Sequence, residues 1–586
     1  MWTQNFDPAG RIALSAAVAV IPICVLFWAL AVRGLKGHVA GLLTTLVAIL
    51  VAVLGFGMPV RLAIAATLQG ALYGLFPIGW IVVAAVFLYN LTVKTGQFDI
   101  IKDSIASITE DRRVQALLIA FSFGAFLEGA AGFGTPVAIS AAMLVGLGFR
   151  PLYAAGLCLI ANTAPVAFGA IGTPIVVASQ ITGISDFTIS QMVGRQLPFL
   201  SVLIPFWLVF TMSGLKGVRE VWPAALVSGG TFATAQWWTS NYLGPLLPDI
   251  ISALCSMVCL VAFLRVWKPR RIFRFEGEVA GDAPPRQLTL PVVVKAWSPF
   301  IALTLLVGDW GIRPVKAILE QATVRFPFPV IHNAVVNPSS GQPIASLFTF
   351  NWLSATGTAI LIAAVATVLF FEVRPRQAVS IFGATCRTLA FPLVTIASVL
   401  GFAYIGNASG LTTTLGMALA QTGALFPLFS PLLGWLGVFM TGSDTSSNAV
   451  FGRLQTVSAE RLGVDPVLAI AANSSGGVTG KMISPQSIAV ACAATGLVGR
   501  EAELFRFTIG HSIALVATVG VMTLLQARWL TWMIPTARQA GVAAGGASPS
   551  SPVPTGWILI GVAIVVMVIL GWAARRVPHV RESDDA

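Results

Sequence analysis

LAIAANSSGGVTGKMISPQSI, residues 468–488, starts apolar, gives way to small polar residues and glycines, carries one lysine, and turns apolar again. It reads as a hydrophobic helix interrupted halfway. Residues 157–175, LCLIANTAPVAFGAIGTPI, repeat the pattern: Asn162 stands opposite Asn473 and Pro174 opposite Pro485 at one common offset of 311 positions. In a bilayer, backbone that leaves the helix persists only where protein or a water-filled cavity satisfies its freed N–H and C=O groups. Paired interruptions at matching positions therefore predict a central site.

The composition surrounding this pair is that of a polytopic membrane protein. Of 586 residues, 56% are apolar and 10% charged, and the mean hydropathy is +0.86, whereas soluble proteins carry about 25% charged residues. Apolar runs of about 20 residues, each enough to cross roughly 30 Å of hydrocarbon, recur along the length. The net charge of +12 lies in short loops between runs, where topology rules place it, and does not indicate nucleic acid. All six cysteines fall in or beside apolar segments with no CxxC pair, so neither a disulfide framework nor a zinc site is predicted. The first ten residues lack a basic leader, and the first apolar run is expected to stay as a span.

Punctuation by Gly, Pro, Arg and Lys predicts spans at Ile12–Val32, Val39–Gly55 and Leu62–Val93, the last overlong and kinked at Pro77. A re-entrant hairpin is expected within Val114–Gly148, with FLEGAAGFGTP at its tip, followed by the broken helix Leu152–Ile181. Spans at Leu197–Met212, Val221–Trp238 and Ile250–Val266 lead to the basic loop Lys268–Arg286, expected in the cytoplasm. After a span at Val292–Val307, a polar stretch to Ser346 is expected outside. Spans at Trp352–Phe371 and Ile381–Tyr404, a second hairpin within Ala424–Leu462, the second broken helix Pro466–Gly496 and Phe507–Leu525 follow. A Gly/Ser/Pro linker at 541–555, a span at 557–572 and a basic tail complete the chain.

Counting crossings from the basic loop gives about thirteen spans and two hairpins, with the N-terminus outside and the C-terminus cytoplasmic. Arg61, Arg453 and Arg461 then fall outside, against the charge rule. The expected fold class is an all-α polytopic membrane protein with two inverted-topology repeats, each with a re-entrant hairpin and a broken transmembrane helix. A single transport domain spans 1–586: repeat one at about 38–213, connecting spans at 220–308, repeat two at 349–526, and an extra C-terminal span at 556–574. Three intervening spans turn the second repeat upside down, an alternating-access signature.

A carboxylate at membrane depth costs about 2.5–3.5 kcal/mol and persists where it has a partner or a task. Glu128 and Asp444 lie at the two hairpin tips. Each is read either as a proton-coupling group or as a cap on an adjacent helix N-terminus. Lys481, inside the second interruption, has Ala170 in its place in the first. It suits the carboxylate of a monoanion, and the alternatives are an ion pair with Asp444 or an interfacial position. Asn162, Thr163, Asn473, Ser474 and Ser475 at the interruptions, with Ser443, Thr445 and Ser446 at the second tip, supply amides and hydroxyls for a substrate carboxylate and an adjacent hydroxyl. Each can equally hold helices together. The four histidines are scattered, no metal-ligand cluster or catalytic triad is found, and neither an enzyme nor a continuous pore is favoured.

Four segments, GAFLEGAAGFGTPVAI (Gly124–Ile139), LYAAGLCLIANTAPVAFGA (Leu152–Ala170), GWLGVFMTGSDTSSNAVF (Gly434–Phe451) and GKMISPQSIAVACAATGLVG (Gly480–Gly499), resemble the bacterial L-lactate permease family. The similarity runs from DPAG (Asp7–Gly10) to WLTWMIP (Trp529–Pro535). It implies uptake of L-lactate, with glycolate and D-lactate, by proton symport across the bacterial inner membrane, with no cofactor beyond the coupling H+. The paired asparagines are also similar to those of two-hairpin carboxylate transporters, some sodium-driven, so the coupling ion stays open. Importing a monoanion against an inside-negative potential costs about 2.3 kcal/mol per 100 mV, and one accompanying proton cancels that charge. The oligomeric state is not legible.

Overall fold

Long stretches without charge can satisfy their backbone in lipid only as helices, and helices dominate the computed structural model. It describes residues 1–535 apart from 30–32, 34, 107, 131, 133, 134, 276–288, 312, 339, 340, 498 and 499. The expected linker at 541–555, span at 557–572 and basic tail lie outside the described residues. Among those described, nine helices are long and apolar enough to cross a membrane, and a tenth is added if Pro151–Ala161 and Val166–Thr182, bent by 64°, are one broken span.

Several expected boundaries are found, with local physical reasons. The overlong third span forms a helical run over Val60–Lys94, interrupted where Phe76, ahead of Pro77, turns extended (φ −142°, ψ 124°). The run Asp186–Tyr242 holds both spans expected there, separated where Gly214 adopts φ 63° and Val221 leaves helical geometry. The apolar stretches at 12–32 and 352–371 form shorter helices, Ile12–Leu26 and Thr356–Phe370.

Two small sheets add to the helical class without changing it. Strands β1 (Trp2–Thr3), β2 (Val324–Pro327), β3 (Val335–Val336) and β4 (Leu347–Phe350) form two small sheets, β1 parallel to β3 and β2 antiparallel to β4. The stretch read as merely polar is rich in valine and phenylalanine and is punctuated by Pro327 and Pro329. Those residues favour a pleated backbone and break helices.

Buried Arg113 pairs with Asp111 at 2.8 Å and Glu220 at 2.7 Å and donates to the Arg271 carbonyl at 3.0 Å. The Phe273 N–H donates to Asp111 Oδ2 at 3.0 Å. This cluster gathers the start of the Arg112–Ala130 helix, the bend near Lys216 and the start of the basic loop, three segments that the charge count expects on one side of the membrane.

Candidate functional site

Eight helices position the site: α1 (Gly124–Ala130), α2 (Pro151–Ala161), α3 (Gly169–Thr182), α4 (Pro248–Val266), α5 (Phe426–Thr441), α6 (Asp444–Leu462), α7 (Pro466–Gly480) and α8 (Pro485–Thr495). Two interruptions lie among them. Between α2 and α3 the chain leaves the helix at Asn162, passes through one short 3-10 turn at Val166–Phe168, and places Ala170, Ile171 and Gly172 in succession in left-handed geometry (φ 44°, 56° and 68°). Gly172 has no room for a side chain, because a Cβ there would run into the Pro245 carbonyl.

The second interruption is narrower than the sequence predicts and keeps only its later part, at Lys481. Residues 473–480 continue α7 without a break, and the chain departs at the 3-10 turn Lys481–Ile483 and the extended Ser484 ahead of Pro485. Asn473, Ser474 and Ser475 therefore project from an intact helix. The reason is packing: Gly476 and Gly480 set their Cα faces against the Pro431 and Trp435 carbonyls of α5. Close contact with a neighbouring helix offsets the weak helix preference of the glycines.

The first polar group forms around Glu128, which is 3% exposed. Its Oε1 accepts from Lys481 Nζ at 2.6 Å and its Oε2 from Asn162 Nδ2 at 3.0 Å. The partner of Lys481 is thus Glu128, not Asp444. Glu128 lies near the C-terminal end of α1, so it caps nothing on its own helix, and the helix N-terminus beside it is that of α3 at Gly169. A Cβ on Gly169 would stand 2.6 Å from Glu128 Oε1, which shows how closely the interrupted backbone approaches this carboxylate.

The second group surrounds Asp444 in the first turn of α6. Capping falls to Ser443, whose Oγ accepts from the Ser446 N–H at 3.3 Å. The Asp444 carboxylate instead turns inward: Oδ2 accepts from Ser474 Oγ at 3.0 Å and from Asn448 Nδ2 at 3.4 Å. Asn448 Nδ2 also donates to Ser474 Oγ at 2.7 Å and to the Pro174 carbonyl at 3.1 Å, which links α6 to α3. Asn473 Nδ2 donates to Asn448 Oδ1 at 2.8 Å, and Gln455 Nε2 to Asn473 Oδ1 at 3.1 Å.

Helix α7 joins the groups. Ser474 and Lys481 are seven residues apart, close to two full turns, so they share a face about 10 Å apart. Lys481 lies near enough to act electrostatically on Asp444 as well as on Asp249. Several buried polar atoms here have no hydrogen-bond partner among the described residues: Asn162 Oδ1, Thr163 Oγ1, Asp444 Oδ1, Ser475 Oγ and both oxygens of Asp249. Buried polar groups are nearly always satisfied, so such a concentration marks a place for a polar ligand or a proton. Thr445, half-buried, enters neither group.

Sequence reading missed Asp249. It lies just inside α4, 1% exposed, with its Cβ 2.7 Å from where a side chain on Gly129 would begin. Standing one residue before the predicted span Ile250–Val266, it has the look of a loop-end residue. Gln455 was missed too, as one polar position within α6, although it exchanges two 2.7 Å hydrogen bonds with Ser430.

Residues 15–530 match the family model described as L-lactate permease. The L-lactate permease of Salmonella typhimurium strain LT2 is 54% identical, covering 91% of this chain and 100% of its own length. The glycolate permease GlcA of Escherichia coli K12 is 55% identical over 91% of this chain and 99% of its own. The L-lactate permease of Bacillus subtilis strain 168 is 55% identical over 91% and 100%. Among solved structures, the YdaH transporter of Alcanivorax borkumensis aligns with a TM-score of 0.42 and 16% identity, over 78% of this chain and 87% of that one.

Proposed function

The chain belongs to the L-lactate permease family, and from that premise we propose that it imports small 2-hydroxy monocarboxylates by proton symport. Its substrates on this reading are L-lactate and glycolate, as the named activities of its relatives suggest, with D-lactate a further one that the same carboxylate and hydroxyl chemistry admits. It is a transporter and not an enzyme, a multi-pass protein of the bacterial inner membrane. In the proposed orientation the N-terminus is outside and the C-terminus cytoplasmic.

The observation that carries the coupling mechanism is the buried pair of Lys481 with Glu128, 353 positions apart in sequence. The lysine is the one cation of the polar core among the described residues, and an internal carboxylate occupies it. A substrate carboxylate needs the same ammonium. Protonating Glu128 removes its claim, and Lys481 then turns to the incoming anion, so that one proton and one monoanion enter together. Without the proton, the pair stays closed and the site stays neutral. Asp249, packed on Gly129 beside this pair, is assigned as a relay for that proton.

Asp444 is the second proton-coupling group in this reading. Its described hydrogen-bond donors are neutral, and burying a charge without a paired counter-charge is costly. Asn162, Thr163, Asn473, Ser474 and Ser475 supply donors and acceptors for the substrate, with the orphan hydroxyls of Thr163 and Ser475 suited to the 2-hydroxyl. Ser443, Thr445 and Ser446 hold the start of α6 and act on the substrate only through it. The two interruptions belong to a pair of inverted repeats, 38–213 and 349–526, that rock against each other about the site.

Uptake of radiolabelled lactate into proteoliposomes, with pH or sodium gradients imposed separately, tests this. Accumulation driven by an inward proton gradient and unchanged when choline replaces sodium is expected. Accumulation that follows sodium instead overturns proton coupling. Glu128→Gln is expected to abolish uphill accumulation while leaving lactate exchange, and normal accumulation by this variant removes Glu128 from the coupling role.

A further inference from the structure

Two of the three arginines that break the charge rule line one cavity of about 490 Å3. Its wall is formed by Gln69, Gln180, Tyr404, Asn407, Arg453 and Arg461, together with the segment that follows β2 and residues of the N-terminal arm. None of Glu128, Asp444 and Lys481 lines it. Two guanidinium groups face a single carboxylate, Glu460, within this lining. Arg453 is half-buried and Arg461 exposed, and no ion pair reaches either among the described residues.

The neutral groups are held in place. Gln180 Nε2 donates to Tyr404 Oη at 3.1 Å and Gln69 Nε2 to the Leu347 carbonyl at 3.3 Å, so the Tyr404 hydroxyl proton is left to donate. The helices that carry these residues lead to the transport site. Arg453 follows Asn448 by five residues on α6, about 7.5 Å along the axis, and Gln180 follows Pro174 by six on α3. The hydrogen bond from Asn448 to the Pro174 carbonyl fixes those two helices together at the inner end.

We propose that this cavity is a second anion site, a vestibule in which Arg453 and Arg461 hold the carboxylate of an incoming small monocarboxylate before it moves along α3 and α6 to Lys481. Two arginines sit where the charge rule disfavours them because the cavity draws anions from the face that carries the N-terminal arm. A guanidinium matches the planar geometry of a carboxylate. Partial exposure keeps the attraction weak enough for release. The inference rests on the transport reading for the identity of the anion, and its test separates the two.

The variants are Arg453→Gln, Arg461→Gln and the double variant. Each is expected to raise KM for lactate, roughly threefold to tenfold for the double variant, with kcat unchanged. The wild-type KM should climb with ionic strength, and that dependence should flatten in the double variant. Unchanged KM and unchanged salt response overturn the vestibule. Independently of transport, millimolar lactate should protect Arg453 from phenylglyoxal, read by mass spectrometry, even in the Lys481→Ala, Glu128→Gln double variant whose inner site is disabled. Absence of protection overturns the proposal, whereas protection in a wild-type protein that takes up no lactate overturns only the transport reading.

Discussion

Two of the acids in the polar core, Glu128 and Asp444, have surroundings that differ in kind. Glu128 is closed on both oxygens, one by the Lys481 ammonium and one by the Asn162 amide. Asp444 is bonded on one oxygen only, by a hydroxyl and an amide, and its other oxygen has no partner among the described residues. A buried ion pair adds little net stability while intact but is costly to halve. A carboxyl among neutral dipoles can be replaced by its amide with little disturbance. On the proposed mechanism the first arrangement is a lock opened by a proton and the second a carboxyl among neutral dipoles, a contrast that mutation can break or sharpen.

Lys481→Ala is the largest expected perturbation. It strands Glu128 without a cation, and the expected loss is about 3–5 kcal/mol, seen as a lower thermal midpoint in detergent and lost uptake. Adding Glu128→Gln should recover the midpoint but not the uptake. A single variant as stable as the parent would dissolve the contrast between the two acids.

Next come two glycines. A methyl group at Gly169 enters the space of Glu128 Oε1, and one at Gly477 enters that of Asp444 Oδ1. Overpacking of this sort costs about 1–3 kcal/mol. Gly169→Ala is expected to lose more than Gly477→Ala, because a paired carboxylate cannot swing away and a half-bonded one can. Equal losses in thermal melts would argue that Asp444 is as firmly held as Glu128.

Ser474→Ala removes one hydrogen bond to Asp444 and is expected to cost about 0.5–1.5 kcal/mol, with a matching shift in the pH at which uptake is half-maximal. The smallest change in stability is expected for Asp444→Asn, near zero, because the amide oxygen still accepts from Ser474 and Asn448. Its transport should nonetheless lose its rise with falling external pH. A marked drop in midpoint, or a pH profile like that of the parent, would remove Asp444 from the coupling role.

The helical membrane class and most of the spans were legible because apolar length and charge punctuation are local properties of the chain. Glu128, Asn162 and Lys481 were legible individually, since polar residues in apolar helices stand out. Their union was not, because a contact across 353 positions leaves no mark in spacing. The second interruption is narrower than expected, confined to Lys481–Ser484 with residues 473–480 still helical, since the glycines that suggest an unwound segment instead seat α7 against α5. Asp249 was hidden by standing at the edge of a span, where an acid ordinarily begins a helix. The strands around residues 324–350 were hidden within a segment read only for its polarity.

The left-handed triplet at Ala170, Ile171 and Gly172 has a mechanical consequence. Non-glycine residues in that geometry cost roughly 1–2 kcal/mol each, so the segment is a wound spring held by the packing around it, with the Pro245 carbonyl as its catch. Any movement that withdraws the 243–247 connection from Gly172 releases the spring. In the proposed rocking cycle, strain relieved in those torsions would offset part of the cost of turning the half of the molecule that carries Glu128 and Asn162.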